Sequence, residues 1–358
     1  MARVMVAMSG GVDSSVSAAL LRGKGHHVIG VTMRVWDGEP PTGRETRHGC
    51  YGPDEESIAD AHEVCRVLDI PFHVLDLRRE YKVEVLDYVR REYLSGRTPN
   101  PCIRCNRRVK LDSLVRRARK SGIEFEHVAT GHYARVQWDD RQRRYLLKKA
   151  ADNTKDQSYF LSALSQEQLG FGLFPVGTYT KREVRKIASR LGLPVDDKPE
   201  SQDFIAGGYS SLMGAAAKPG PIFDKQGNVL GQHRGIPFYT IGQRKGLGLS
   251  RREPVYVTDI APERNAVLVG ARGEVYGRDL ICSGLNWIAM EALGHPANVK
   301  AKIRYNHEEA DAVVAPLDGG KAHVKFKEPQ LAIAAGQAVV FYDEDVVLGS
   351  GTIERRMG

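Results

Sequence analysis

Apolar positions along the first 206 residues follow two alternating rhythms. Short runs that are apolar at every position, Val4-Met5-Val6-Ala7-Met8 foremost, predict strands buried on both faces, as a parallel sheet requires. Further strands are predicted near His27–Met33, Pro71–Leu77 and Glu126–Thr130. Between them, apolar residues recur at helical spacing over Asp54–Leu68, Arg79–Leu94, Asn106–Lys120 and Thr180–Leu191. Strand alternating with helix predicts an α/β domain, a doubly wound parallel sheet, over residues 1–206. Within it, Tyr133–Trp138 and Arg144–Lys149, joined by Asp139-Asp140-Arg141-Gln142, predict an inserted hairpin. After Gly207-Gly208, short strands and Gly-rich turns such as Lys225-Gln226-Gly227-Asn228 take over. They predict a small β-rich module over 207–280 and a β-barrel over 281–358.

The junction of the first strand and helix carries chemistry. Met8-Ser9-Gly10-Gly11-Val12-Asp13-Ser14-Ser15 breaks the apolar run, and Val16-Ser17-Ala18-Ala19-Leu20-Leu21 resumes at helical spacing, with Asp13 or Ser14 placed to cap. Two glycines let the backbone turn tightly and present bare N–H groups where the helix dipole is positive, a cradle for phosphate. No Gly-Lys-Ser/Thr ending is present, and Asp13 stands where that lysine is expected. A carboxylate beside polyphosphate calls for a bridging divalent cation, which points to Mg2+. Ser-Gly-Gly-x-Asp-Ser resembles the signature of the ATP pyrophosphatases, which cleave ATP to AMP and pyrophosphate while adenylating a substrate oxygen. Met33, at the end of the second strand, lies on the carboxyl edge where such sheets bind ligands.

Five cysteines, an odd number, argue against a disulfide framework and for thiol or metal chemistry. Thr98-Pro99-Asn100-Pro101-Cys102-Ile103-Arg104-Cys105-Asn106 sets a Cys-x-x-Cys at a helix start, with Asn106 as the expected cap. Arg104, Arg107 and Arg108 are expected to lower the thiol pKa values of Cys102 and Cys105, which suits a nucleophile, a persulfide carrier or a metal ligand. Cys65 shares a helix face with Ile58, Ala61 and Leu68, and Cys282 falls in a strand, so both are expected to pack in cores. Cys50 lies in His48-Gly49-Cys50-Tyr51-Gly52-Pro53, a loop leaving the carboxyl edge. Cys50, Cys102 and Cys105 together suit an iron–sulfur cluster with one open iron, or zinc with a fourth ligand such as His48.

The chain has 358 residues, 42% hydrophobic and 27% charged, the composition of a globular protein of two or three domains. No apolar run approaches the ~18 residues of a membrane span, and the N-terminus reads as a core strand rather than a signal peptide, so a cytoplasmic address is expected. The net charge of +8 is clustered: Arg104, Arg107, Arg108 and Lys110; Arg116, Arg117, Arg119 and Lys120; Arg141, Arg143, Arg144, Lys148 and Lys149; Lys181, Arg182, Arg185 and Lys186. Four such clusters beside a nucleotide site predict a nucleic-acid partner.

Taken together, the motifs resemble the tRNA-specific 2-thiouridylases over nearly the whole chain. Those segments are Ser9–Ser15, Thr98–Asn106, Ala129-Thr130-Gly131-His132-Tyr133-Ala134, Lys155-Asp156-Gln157-Ser158-Tyr159-Phe160-Leu161, Glu200-Ser201-Gln202-Asp203, Gly242-Gln243-Arg244-Lys245-Gly246 and Lys302-Ile303-Arg304-Tyr305. The resemblance implies that ATP adenylates the C2 oxygen of the wobble uridine of tRNA and that sulfur from a donor, protein persulfide or sulfide, displaces AMP. It implies ATP contacts at Ala7–Ser14, Met33 and Gly131. It implies tRNA contacts at His132, Lys155-Asp156-Gln157, Arg304-Tyr305 and Gln337.

The chain departs from that family pattern twice. Many members have Asp at the position of Cys102 and use Cys105 as nucleophile, with a second catalytic cysteine two residues past the Gln-Asp pair. Here that position is Ile205, which cannot carry sulfur. Three repairs stay open: a cluster on Cys50, Cys102 and Cys105; a division of carrier and nucleophile roles between Cys102 and Cys105; or loss of thiolation with only tRNA adenylation or binding kept. Two other functions compete: an ATP pyrophosphatase acting on a small molecule, which the basic clusters and Cys-x-x-Cys oppose, and a non-catalytic RNA-binding protein, which would need neither Asp13 nor paired cysteines.

Overall fold

A computed structural model describes residues 1–38, 49–195, 203–205, 210–213 and 217–357. The sequence positions His48 and Glu200-Ser201-Gln202 lie outside them, and of Cys50 and Ile205 only the backbone is described.

The N-terminal part is a five-stranded parallel sheet. Its strands are β1 (Arg3–Ala7), β2 (His27–Arg34), β4 (Phe72–Asp76), β5 (His127–Ala129) and β8 (Gly172–Leu173), in the order β4-β2-β1-β5-β8. The two faces of β1 enter different cores, which is why the run is apolar throughout. Val4 and Val6 pack with α1 (Val12–Gly23) and α2 (Glu55–Val67), while Met5 packs against α3 (78–94) and α4 (101–120). The chain leaves β1 toward β2 on one side and reaches β5 on the other. The crevice at the carboxyl ends of β1 and β5 is therefore the switch point where such sheets take ligands. Cys65 is buried on α2, and burial pushes its thiol up to about 12.

Helices α3 and α4 each contain π-type turns, over Lys82–Leu86 and Asn106–Ser113, with Leu111 at non-helical φ/ψ. Side chains take up the carbonyls there. Arg104 donates to Glu84 O at 3.0 Å, Gln168 to Arg107 O and Leu111 O at 2.8 and 3.1 Å, and Ser113 to Arg108 O at 2.8 Å. Helix α4 starts five residues before the expected Asn106. Pro101 supplies the fixed φ of a first turn, and Asn100, not Asn106, accepts from Ile103 N at 3.2 Å.

The hairpin β6 (Ala134–Asp139) and β7 (Arg144–Lys149) forms as expected, but its spatial partner lies far along the chain. β7 pairs Leu147 and Lys148 with Val347 and Val346 of β19 (Val346–Met357). The hairpin thus extends a closed six-stranded barrel of β14 (Tyr276–Trp287), β15 (Ala297–Lys302), β16 (Ala310–Leu317), β17 (Lys321–Leu331), β18 (Ala338–Asp343) and β19, closed by β14–β19. Cys282 lies wholly buried in the barrel core, its thiol likewise pushed up to about 12. Between the two parts sits a four-stranded sheet in which β10 (Gly220–Phe223) joins β11 (Val229–His233) to β13 (Ala266–Gly270), itself paired with β12 (Tyr256–Ala261).

Gly177 lies in a tight turn against the first residue of β6, where a Cβ would collide with Ala134 O. Gly177→Ala is expected to cost about 1–3 kcal/mol of stability by overpacking, read as a lower urea midpoint.

Candidate active site

The loop after β1 turns through Gly10 at φ +70°, where a side chain would strike the backbone of Ser57 on α2. Met8 N donates to Val31 O at 2.8 Å, and Thr32 Oγ1 donates to Met8 O at 3.0 Å, so the loop is tied to β2. Neither Asp13 nor Ser14 caps α1. The cap position is Gly11 in extended conformation, which has no side chain to offer the first-turn amides. Ser14 Oγ instead donates back to Gly11 O at 3.0 Å, as does Ser15 Oγ at 2.9 Å. The first-turn amides are left facing the crevice, which is what an anion site needs.

Asp13 does not stand alone. Lys181 Nζ lies 2.8 Å from both carboxylate oxygens, and Tyr133 OH donates to Oδ1 at 2.8 Å. Lys181 heads α7 (Lys181–Arg190), whose start is fixed by a capping box between Thr180 and Glu183. The sequence pattern groups Lys181 with a basic cluster expected to face nucleic acid; it is 9% exposed and turned inward. The Thr-x-x-Glu signal could have shown that Lys181 occupies the first helical position, although not which way it points. Gly131 sits directly under this loop, and a Cβ there would lie 2.5 Å from Ser14 N and 2.7 Å from Asp13 C.

The 155–157 segment is bound to the same place. Asp156 accepts from Ala150 N at 2.9 Å and from Ser158 N and Oγ at 3.2 and 2.7 Å. Gln157 accepts from Tyr133 N through Oε1 at 3.0 Å and donates from its own N to Tyr133 O at 2.8 Å. These bonds hold Tyr133 where its hydroxyl meets Asp13. His132 Nδ1 lies 2.7 Å from Thr130 Oγ1, and burial, with Lys110 nearby, drives its pKa well below that of free histidine. It is neutral at pH 7 and able to offer a hydrogen bond without charge.

Cys102 and Cys105 lie one turn apart at the start of α4, unbridged, Cys105 buried and Cys102 half-buried. Arg104 is turned away from them onto Glu84 Oε2 at 2.8 Å and over the Tyr88 ring. Asn106 donates to Phe160 O at 3.2 Å, joining the cysteine helix to the 155–161 segment. Cys50 stands in β3 (Gly49–Tyr51), which pairs in parallel with β9 (Asp203–Ile205), Tyr51 opposite Ile205. Tyr51 stacks on Tyr81 of α3 in the core that Cys105 also enters. Among the described residues no group of three His, Cys, Asp or Glu side chains gathers to hold a metal.

Arg304 and Gln337, expected at tRNA, point inward onto backbone carbonyls. Arg304 donates to Ile241 O and Ala332 O at 3.0 and 3.1 Å, and Gln337 to Thr98 O and Pro99 O at 3.0 and 3.2 Å. Tyr305 packs on Phe160 with ring centroids 4.4 Å apart. Part of the basic charge is also spent internally: Arg117 pairs with Glu80, Lys148 with Asp345 and Lys149 with Glu309, while Arg144 donates to Trp287 O and Ile288 O. Arg108, Arg119 and Lys120 on α4 and Arg182, Arg185, Lys186 and Arg190 on α7 remain exposed. Among the described residues no helix is long and apolar enough to cross a membrane.

Known proteins share this layout. Residues 2–206 match the family model described as the tRNA methyl transferase HUP domain, 213–271 its PRC-barrel domain, and 277–353 an aminomethyltransferase beta-barrel domain. A protein of Moorella thermoacetica named tRNA-specific 2-thiouridylase MnmA is 52% identical over 98% of this chain and 99% of its own. One of the same name from Desulforamulus reducens is 47% identical over 99% of this chain and 97% of its own. A third, MnmA 1 of Thermoanaerobacter sp., is 48% identical over 99% and 98%. Matched by these models in all three parts and about half identical to these relatives over nearly their whole length, the chain belongs to the tRNA-specific 2-thiouridylase family.

Proposed function

We propose that this chain uses ATP to thiolate the C2 position of the wobble uridine of tRNA. One observation carries the reading. An anion cradle at the head of α1 and a cysteine pair at the head of α4 are both fastened to one segment, 155–161, through Tyr133–Gln157 and Asn106–Phe160. A phosphate-binding loop and paired thiols have no common purpose in a plain RNA-binding protein. Methyl transfer, the activity in the family models' descriptions, gives the cradle no polyphosphate to hold.

A uracil carbonyl oxygen is a poor leaving group, and adenylation makes it a good one. Uracil O2 attacks the α-phosphorus of ATP, and pyrophosphate leaves into the glycine-rich loop, where the first-turn amides of α1 meet its charge. Asp13 would hold Mg2+ together with the phosphates if Lys181, now on both of its oxygens, turned to the phosphates and left one oxygen to the ion. Neutral His132 with Lys155 and Tyr305 is proposed to meet the RNA, and the exposed arginines of α4 and α7 its backbone. Arg304 and Gln337 contribute from inside the seam between the parts.

For sulfur transfer, Cys105 is the proposed nucleophile. Carrying sulfur as a persulfide, it attacks C2 and AMP departs. The Cys102 thiolate then attacks the Cys105 sulfur, releasing 2-thiouridine and leaving a Cys102–Cys105 disulfide for an external thiol to reduce. The two thiols one turn apart also suit two ligands of an iron–sulfur cluster completed by Cys50, which when bound would offer an open iron for sulfide.

Cys105→Ala is expected to abolish 2-thiouridine formation, measured by nucleoside mass spectrometry, while tRNA binding persists; retained thiolation would remove Cys105 from its role. Gly131→Ala is expected to slow tRNA-stimulated ATP–pyrophosphate exchange by about 10²-fold, because the cradle must move away from the new methyl. Iron and acid-labile sulfide assayed in protein purified without oxygen separate the two sulfur routes. About four irons per chain, lost in Cys50→Ala, establish the cluster, whereas none in either protein leaves the persulfide couple.

A further inference from the structure

The two carboxylate oxygens of Asp13 are not treated alike. Lys181 Nζ lies 2.8 Å from each of them, but the Tyr133 hydroxyl donates to Oδ1 alone, at 2.8 Å. A carboxylate oxygen accepts through two lone pairs. Among the described residues, Oδ1 therefore has both engaged, whereas Oδ2 meets only Lys181.

Tyr133 is fixed in place. It is buried, and Gln157 grips its backbone from both sides, accepting from Tyr133 N at 3.0 Å and donating to Tyr133 O at 2.8 Å. Two residues earlier, Gly131 lies so close to the loop that a Cβ would sit 2.5 Å from Ser14 N. The Ser17 hydroxyl, 2.9 Å from Asp13 O and 3.3 Å from Thr130 O, joins the same two stretches. Lys181 differs in kind: its ammonium is a point charge on a flexible four-carbon stem. One partner of Asp13 is thus held rigidly, and the other is able to swing away.

A hard divalent cation takes oxygen ligands, and a carboxylate oxygen beside a phosphate cradle has the right chemistry. When Lys181 turns to phosphate charge, Oδ2 is freed while Oδ1 keeps the Tyr133 hydroxyl. We propose that Tyr133 is a positioning residue: its hydroxyl holds Oδ1 of Asp13 and so reserves Oδ2 for the divalent cation that accompanies the triphosphate. This role rests on the ATP chemistry proposed above and is independent of the sulfur route. Tyr133→Phe isolates the hydroxyl, because it leaves the Lys181 pair and the ring that Lys181 faces at 5.8 Å from its centroid.

Mn2+ binding in the presence of α,β-methylene ATP, followed by loss of the free-ion EPR signal, is to be compared between the wild-type chain and Tyr133→Phe. The expected result is Mn2+ affinity about tenfold weaker in the variant, as for one lost hydrogen bond to a charged group. Nucleotide affinity in EDTA and tRNA affinity should each stay within about twofold. The KM for Mg2+ in tRNA-dependent ATP–pyrophosphate exchange should rise about tenfold, with the rate regained at high Mg2+. Unchanged Mn2+ affinity overturns the proposal. So does a loss that high Mg2+ fails to restore, or one that nucleotide in EDTA shares, since either makes Tyr133 a structural residue. Should the variant not fold, the wild-type chain crystallised with Mg2+ and the same nucleotide decides: the ion belongs on Oδ2 alone, and an ion on Oδ1 or on both oxygens overturns the assignment. A wild-type chain that binds no Mn2+ with the nucleotide overturns it as well. If the wild type binds Mn2+ as expected but forms no 2-thiouridine, the thiolation function fails and Tyr133 keeps its role.

Discussion

The carboxylate of Asp13 is the point on which the active-site crevice depends. It receives Lys181 from α7 and the hydroxyl of Tyr133 from the segment after β5, so three stretches of chain meet at one side chain. Lys181 is almost wholly enclosed there, and a buried ammonium that loses its counter-ion typically costs about 3–5 kcal/mol. Glycines at 10 and 131 are the steric side of the same constraint. Each permits a backbone approach that a methyl group would forbid. Charge draws the segments together, and the absence of side chains lets them meet.

From that point an ordered series of bonds runs to the thiols. Tyr133 is held by Gln157, Asp156 shapes the turn that carries Gln157, and Phe160 a few residues on accepts from Asn106 beside Cys105. The segment that the family resemblance assigns to tRNA contact is in large part a bracket. Asp156 holds the backbone of Ala150 and Ser158, and Gln157 that of Tyr133.

Elements whose signals are local were legible in the sequence: the all-apolar β1, the α2 span between Asp54 and Leu68, and α7 with its Thr180 cap. The place of Cys65 and Cys282 in cores was legible for the same reason, since helical or strand spacing marks the buried face. Long-range partners were not. Nothing in Arg144–Lys149 says that its edge will be covered by Val346 and Val347, and nothing in Gln337 says that its amide will find the carbonyls of Thr98 and Pro99. The cap of α4 was misread because Asn106 and Asn100 flank the cysteines alike; Pro101 at the first helical position decides for Asn100. Direction is the common gap. A cation pattern gives charge but not whether Lys181 or Arg304 points to water or inward.

The sharing of β7 with the barrel has a further consequence, for the order in which this protein acquires its shape. Leu147 is buried in a core that it shares with Val340, Tyr342 and Val347 of the barrel, and Lys149 takes its partners, Glu309 and the carbonyl of Glu344, from the barrel as well. A nascent chain carrying the parallel sheet alone has made its crevice but holds an uncovered strand edge, the kind of surface that recruits another chain. The N-terminal half is thus no free-standing module grafted onto a barrel. It is one side of a joint that closes when both halves have been synthesised, and a ribosome that stalls between them leaves a sticky edge exposed.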